Sequence, residues 1–427
     1  MSILAASLFV TLSAPQVKPS FDDLSYRAFT YFVEASHPRT GFTKDRSRNF
    51  EPDVPTNRVA SIAAMGFTLS AYAIGEHRGW MPRSEAVGRA RHLVRNLMAK
   101  APRDHGWFYH FFDWETGKRE WNCEVSTIDT SIFLAGLLMS EMAFQDAEFT
   151  ALSQQIQKEI DWKWAITRDG ARPNSPFVCM GFRPEQGFLD HDWASYNELP
   201  MLYVQAYGLY PQMPKEGWDK IERPQFHYKG YDFLAGGPLF MHQMSHVFVD
   251  FKGVRDPLGF DYWVNSRNAI LANRQYCIDN PKGFKGYEPD VWGLSASDSP
   301  KGYEAQGAPG NIYDNGTITP SSAIAAAMFD RKTAEEVTKG TYQKHPGTYG
   351  KYGFTIAFNP TESWMSPDVI GIDLGQLLLS LENARDGFPN RMSMKHPVIS
   401  KGMKLMGFKA TSEGPITSRK LRIQPKK

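Results

Sequence analysis

The chain has only three cysteines in 427 residues, Cys123, Cys179 and Cys277, an odd number and widely spaced. A disulfide framework and a cysteine-built zinc site are therefore not expected, and the three read as ordinary buried thiols. An excess of charge is also lacking. Lys and Arg number 48 against 46 Asp and Glu, a formal net charge of +2, with no long basic run outside the C-terminal tail, so a nucleic-acid partner is not indicated. No run reaches the roughly 20 apolar residues of a membrane helix. There is no phosphate-binding glycine loop and no convincing G-x-S-x-G nucleophile elbow. Strands and helices do not alternate in βαβ fashion, which excludes a doubly wound sheet.

What is abundant is aromatic. Phe, Trp and Tyr make up 13% of the chain, including 11 Trp, and many stand beside Gly, Asp or Asn in loop-like sequence. Pyranose rings stack on such side chains through their apolar C–H faces, so the composition favours a sugar-binding cleft, although most of these rings belong to an ordinary core. The N-terminal "MSILAASLFVTLSAPQ" resembles the apolar region and small-residue cleavage site of a secretory signal without a positive start, and predicts a periplasmic or secreted protein.

Apolar residues at three- and four-residue spacing predict about eleven helices: 21–36, 58–77, 83–100, 126–144, 147–165, 193–208, 238–249, 261–279, 320–328, 331–341 and 369–385. Only short strand-like pieces, such as 106–113 and 351–359, lie between them. The expectation is an all-α toroid of inner and outer helices with long, aromatic-rich loops. It divides the chain into a leader over 1–20, one catalytic domain over 21–390 and a C-terminal extension over 391–427.

Six loop motifs follow in order: "YFVEASHPRTGFTKDRS" (31–47), "GWFYHFFDWETGKR" (106–119), "EVSTIDTSIFLAGLL" (124–138), "MHQMSHVFVDFKGVRD" (241–256), "YEPDVWGLSASDSPKGYEAQGAP" (287–309) and "YGKYGFTIAFN" (349–359). Together they resemble the glycoamylase-like glycoside hydrolases, the group that includes bacterial endo-β-1,2-glucanases, from about residue 21 to 390. The resemblance implies an (α/α)6 barrel that acts on a glucan by inversion, without a cofactor.

Glycoside hydrolysis needs one carboxylic acid to protonate the leaving oxygen and one carboxylate to activate water or attack the sugar. Glu198, in "HDWASYNELP", is the first candidate for the acid, because Trp193 and Tyr196 would desolvate it and raise its pKa. Against this, Ser195 to Glu198 has the S-x-x-E form of a capping box. Glu124 and Asp129, in "CEVSTIDTS", form the second catalytic or binding pair, although Ser126 to Asp129 could also be a helix cap.

In "WGLSASDSPKGYEAQGAP" (292–309), Trp292 is expected as a sugar platform, with Asp298 and Glu304 as acceptors for hydroxyls; an Asx turn at Asp298 is the alternative. Asp314, before Asn-Gly, reads as a turn former. His242 and His246 stand four apart, as metal ligands on a helix do, but Gln243 replaces the glutamate of H-E-x-x-H and no third ligand is apparent. They are read as core or substrate-contact residues, with no metal. Arg46, Arg267, Tyr352 and Trp364 complete the candidate subsites. The function expected is an inverting, endo-acting β-1,2-glucanase. The alternatives are an exo-acting hydrolase or transglycosylase, a polysaccharide lyase, and a glycan-binding protein. Linkage, chain-end preference, the catalytic base and the oligomeric state are not legible.

Overall fold

The computed structural model describes residues 19–52 and 57–411. The leader reading falls almost wholly on residues 1–18, and "TSRKLRIQPKK" on 417–427, both outside the described residues. Fourteen α-helices are described: α1 (Phe21–Glu34), α2 (Ile62–His77), α3 (Arg83–Lys100), α4 (Thr127–Phe144), α5 (Ala147–Glu159), α6 (Trp162–Thr167), α7 (Pro200–Leu209), α8 (Phe240–Gln243), α9 (Tyr262–Asp279), α10 (Pro320–Ile324), α11 (Arg331–Lys344), α12 (Gly371–Arg385), α13 (Phe388–Lys395) and α14 (Pro397–Leu405). The strands are two to four residues long and pair as small antiparallel ribbons. The protein is thus helical with small strands only.

Helices α2, α4 and α7 are buried on nearly every face, whereas α3, α5 and α11 bury one stripe and expose the rest. This separates an inner set from an outer set. Within the inner set, α2 packs on α4 and α12, α4 on α7, and α7 on the 3-10 turn Met244–Val247 that continues α8. Helix α12 meets that turn, α10 and the second 3-10 turn Ala325–Met328. Buried amides link these helices: Gln205 Nε2 donates to the Ser131 carbonyl at 3.0 Å, Gln243 Nε2 to the Ser322 carbonyl at 2.9 Å, and Gln376 Nε2 to Gln243 Oε1 at 2.5 Å. Such polar groups are tolerated in a core because each finds a partner.

Helices α2 and α4 cross in close contact. A Cβ on Gly136 would stand 2.0 Å from the Gly66 carbonyl oxygen, so glycine is required for the two backbones to approach. By length and composition Thr127–Phe144 could cross a membrane, but 89% of it is buried inside the protein, where its apolar faces are already used.

Several expected boundaries shift. The helix expected over 193–208 begins only at Pro200, since proline suits a first turn and residues 193–199 form an irregular approach to it. The 147–165 helix breaks at Ile160 and Asp161, and Asp161 caps α6 through Trp164 N at 2.9 Å. Helix α13 runs across residue 390, where the catalytic domain was expected to end, and α14 packs against α7. One hydrophobic cluster accordingly extends from Leu24 to Met406.

Candidate functional site

The loops that connect these helices surround a cavity of about 590 Å³. Four of the residues singled out in the sequence line it: Glu198, Glu124, Asp129 and Arg46. Asp45, His110, Trp121, Tyr303 and Asp373 line it as well and were not among the candidates. A smaller cavity of about 300 Å³ lies between the start of α1 and helices α11 and α12. Its Arg331 and Arg385 are already paired with Glu335 and Glu382, so it has less free acid–base capacity.

Glu198 sits two residues before α7. Ser245 Oγ fixes its backbone by donating to the Glu198 carbonyl at 2.6 Å, while accepting from Met201 N at 3.0 Å. Glu198 therefore caps no helix through its side chain, and the capping-box alternative does not hold. Burial raises its carboxyl to about 7, with the Asp129 charge adding to the shift. A group so placed keeps its proton near neutrality.

Asp129 lies in the first turn of α4. Here both readings of the sequence are true together: Asp129 N donates to Ser126 Oγ at 3.2 Å, Ser126 Oγ donates to Asp129 Oδ2 at 2.5 Å, and the carboxylate still faces the cavity. Glu124 and Ser126 face the same side because they flank Val125 in a short strand, where side chains alternate. His110 bridges the two carboxylates, with Nδ1 3.1 Å from Glu124 and Nε2 3.4 Å from Asp129. Burial would lower its pKa, but Asp129 and Glu124 outweigh that and raise it. Glu124 in turn is held down to about 2, mainly by the His110 hydrogen bond against the opposing effect of burial, with help from Arg183.

On another wall, Asp373 opens the first turn of α12. Burial, then the charges of Asp298 and Asp45, push it up to about 8. Burial also raises Asp45, in opposition to Arg46. Arg46 Nη1 donates to both oxygens of Asp298 at 3.2 Å and lies 3.7 Å from Asp368, so one guanidinium serves a crowd of carboxylates.

The stretch 292–309 folds as an antiparallel hairpin, Ala296–Ser299 with Gly302–Ala305. Asp298 stands opposite Tyr303 and Ser297 opposite Glu304. Alternation puts Ala296, Asp298 and Tyr303 on the cavity side and Glu304 on the other. Glu304 is held there by Ser299 at 2.5 Å, Asn315 at 2.8 Å and Tyr313, which corrects its expected place in the site. Trp292 is corrected too: it is 0% exposed in the core and cannot offer a face to a sugar. Asp314 is a turn former, accepting from Gly316 N at 3.0 Å.

The remaining candidates also lie away from the cavity. Burial lowers His242 to about 4 and His246 to about 3, and His246 Nε2 is 2.9 Å from Ser266 Oγ, so both are neutral core residues. Arg267 pairs with Asp330 at 3.3 Å, Tyr352 donates to Glu34 at 3.0 Å, and Trp364 pairs with Asn359 in a separate ribbon. Among the described residues no group of three or more His, Cys, Asp or Glu is arranged to hold a metal ion. The three cysteines are buried and unpaired.

Comparison with known proteins finds relatives among glycoside hydrolases. The glycoamylase family model, described as "putative glucoamylase", matches residues 190–397. An exo β-1,2-glucooligosaccharide sophorohydrolase (non-reducing end) of Parabacteroides distasonis is 28% identical over 416 residues; the match covers 88% of this chain but only 56% of that protein. A solved structure from Bacteroides caccae, bearing the same glucoamylase description, superposes with a TM-score of 0.83 at 28% identity, over 92% of this chain and 99% of that one. The endo-β-1,2-glucanase of Chitinophaga pinensis, solved with sophorotriose and glucose, gives a TM-score of 0.81 at 28% identity, over 91% and 98% of the two chains.

Proposed function

We propose that this relative of the glycoamylase-like glycoside hydrolases cleaves β-1,2-linked glucan within an (α/α)6 toroid. The six inner helical segments of the toroid are α2, α4, α7, α8 with its 3-10 turn, α10 with its 3-10 turn, and α12. The observation that carries the reading is Glu198, a carboxyl raised to about 7 in a cavity where the Glu124 carboxyl is held at about 2. A carboxyl raised in this way keeps the proton that a general acid must give, while an ionised neighbour such as Glu124 accepts hydrogen bonds. Glu198 donates its proton to the departing glycosidic oxygen. His110, Glu124 and Asp129 bind sugar hydroxyls and fix the charge of that wall.

A water molecule is the attacking group, and one carboxylate of the Asp373–Asp45 pair, ionised while the other keeps its proton, receives a proton from it. Helix α12, which bears Asp373, is separated from α7 by α2 and α4 on one side and by the 3-10 turn Met244–Val247 on the other. Such separation suits inversion, which requires the two carboxyl groups about 6.5–9.5 Å apart with water between them.

Endo action is favoured by the Chitinophaga pinensis relative, 98% of whose chain is matched, against 56% of the Parabacteroides sophorohydrolase. The latter supports exo action as the second reading. Chromatography of products from linear β-1,2-glucan distinguishes them. A ladder of oligosaccharides at early times is expected; sophorose alone establishes the exo reading, and an untouched polymer overturns both. Export, expected from residues 1–16, is tested by N-terminal sequencing of the protein from its native cell.

A further inference from the structure

Trp121 is 65% exposed, yet it lines the catalytic cavity. Its ring centroid lies 5.0 Å from that of Phe111, and Phe111 stacks on His110 at 3.8 Å and 15°. All three line the cavity, so an aromatic path leads from an exposed indole to the histidine between Glu124 and Asp129.

The backbone beneath the indole is unusual. Trp121 and Asn122 both take left-handed conformations, with φ of 54° and 48°. Residues with side chains avoid this region, and two in succession persist only where surrounding contacts enforce them. Those contacts are present: Glu120 N donates to the Phe111 carbonyl at 3.1 Å, Cys123 N to the Glu120 carbonyl at 3.1 Å, and Arg119 Nε to the Cys123 carbonyl at 2.7 Å. Phe111 N donates to Cys123 Sγ at 3.2 Å, tying the loop to the neighbouring ribbon. The fold therefore holds a large apolar ring in water, at a fixed place on the cavity. Tyr303, 58% exposed on the hairpin, is the second strongly exposed aromatic that lines the cavity.

We propose that Trp121 is a specificity-determining sugar platform that binds a glucosyl unit remote from the bond being cleaved, so that it selects for longer chains. The proposal rests on the glucanase reading above. Aromatic faces bind pyranose C–H faces by apolar contact, and a pre-positioned ring does so without a further ordering cost. Because the unit is remote from the reacting atoms, its binding is uniform through the reaction and should act on KM rather than kcat.

The test compares wild type, Trp121→Ala and Trp121→Phe on β-1,2-glucooligosaccharides of graded length. For Trp121→Ala the expected result is a rise in KM of about tenfold on long substrates, with kcat within about twofold and no change on the shortest substrate cleaved. Trp121→Phe recovers most of the loss. Equal KM for wild type and Trp121→Ala at every length overturns the proposal, as does an equal loss at every length, which marks a merely structural role. If the wild type cleaves none of the series, the glucanase reading fails separately. Fluorescence titration of the same proteins with β-1,3- and β-1,4-glucooligosaccharides then decides, and affinity independent of Trp121 in both sets overturns the platform.

Discussion

His110 Nδ1 donates to Glu124 Oε1 at 3.1 Å, which places an imidazole whose pKa is raised by two carboxylates on one that is itself held at about 2. The effect on stability has a definite sign. Glu124 contributes fully above its ordinary value of 4.5, and that contribution is lost as pH falls toward about 2. His110 contributes fully below 6.5, and its part is lost as pH rises through its raised value. The pair is thus most stabilising between 4.5 and 6.5. His110→Asn should cost on the order of 1–3 kcal/mol in that window and flatten the pH dependence of thermal unfolding. An unchanged profile would show that the pair is not coupled.

Asp373 carries the opposite sign. A buried acid raised to about 8 must take up a proton on folding at neutral pH, which weakens the fold. Asp373→Asn should therefore raise the unfolding midpoint at pH 7 while lowering kcat by about 100-fold or more, the trade expected where function keeps a strained group. A variant that is less stable, or fully active, contradicts its place on the water-activating wall.

Trp292→Ala should damage the fold and not substrate affinity selectively. Removing a wholly buried indole costs about 3–5 kcal/mol, read as a lower denaturation midpoint. A stable variant with only a raised KM would return Trp292 to the site.

The contrast between Trp292 and Trp121 shows what was legible. Both are tryptophans in glycine-flanked or polar loops, and composition cannot tell the one that fills the core from the one that stands at the cavity. Helix periodicity marked α1 to α12, with α5 and α6 joined as one and α7 begun too early, because long amphipathic or apolar stretches leave a strong signal. It missed α13 and α14, whose 8 and 9 residues give too few turns to stand out. The places of Glu124 and Asp129 on the cavity were legible in an ordered motif at a helix start, and that of Glu198 beside aromatic neighbours before another helix. Asp45 and Asp373 were not, because their significance comes from burial among groups the fold brings together: Asp373 beside Asp298, Asp45 and Arg46, and Asp45 near His110 and Asp129. For Glu304, the hairpin register decided the matter, and a shift of one residue would have turned it to the cavity.

The acid assignment of Glu198 is tested most directly by Glu198→Gln, assayed across pH on β-1,2-glucan and on a β-glucoside whose leaving group needs no protonation. The account predicts a fall in turnover of about 10²–10⁴ on glucan with binding retained, and partial recovery on the activated substrate. It also predicts that the wild-type decline above about pH 7, where Glu198 loses its proton, disappears in the variant. Near-normal turnover of Glu198→Gln on glucan, with the decline above pH 7 intact, would contradict it.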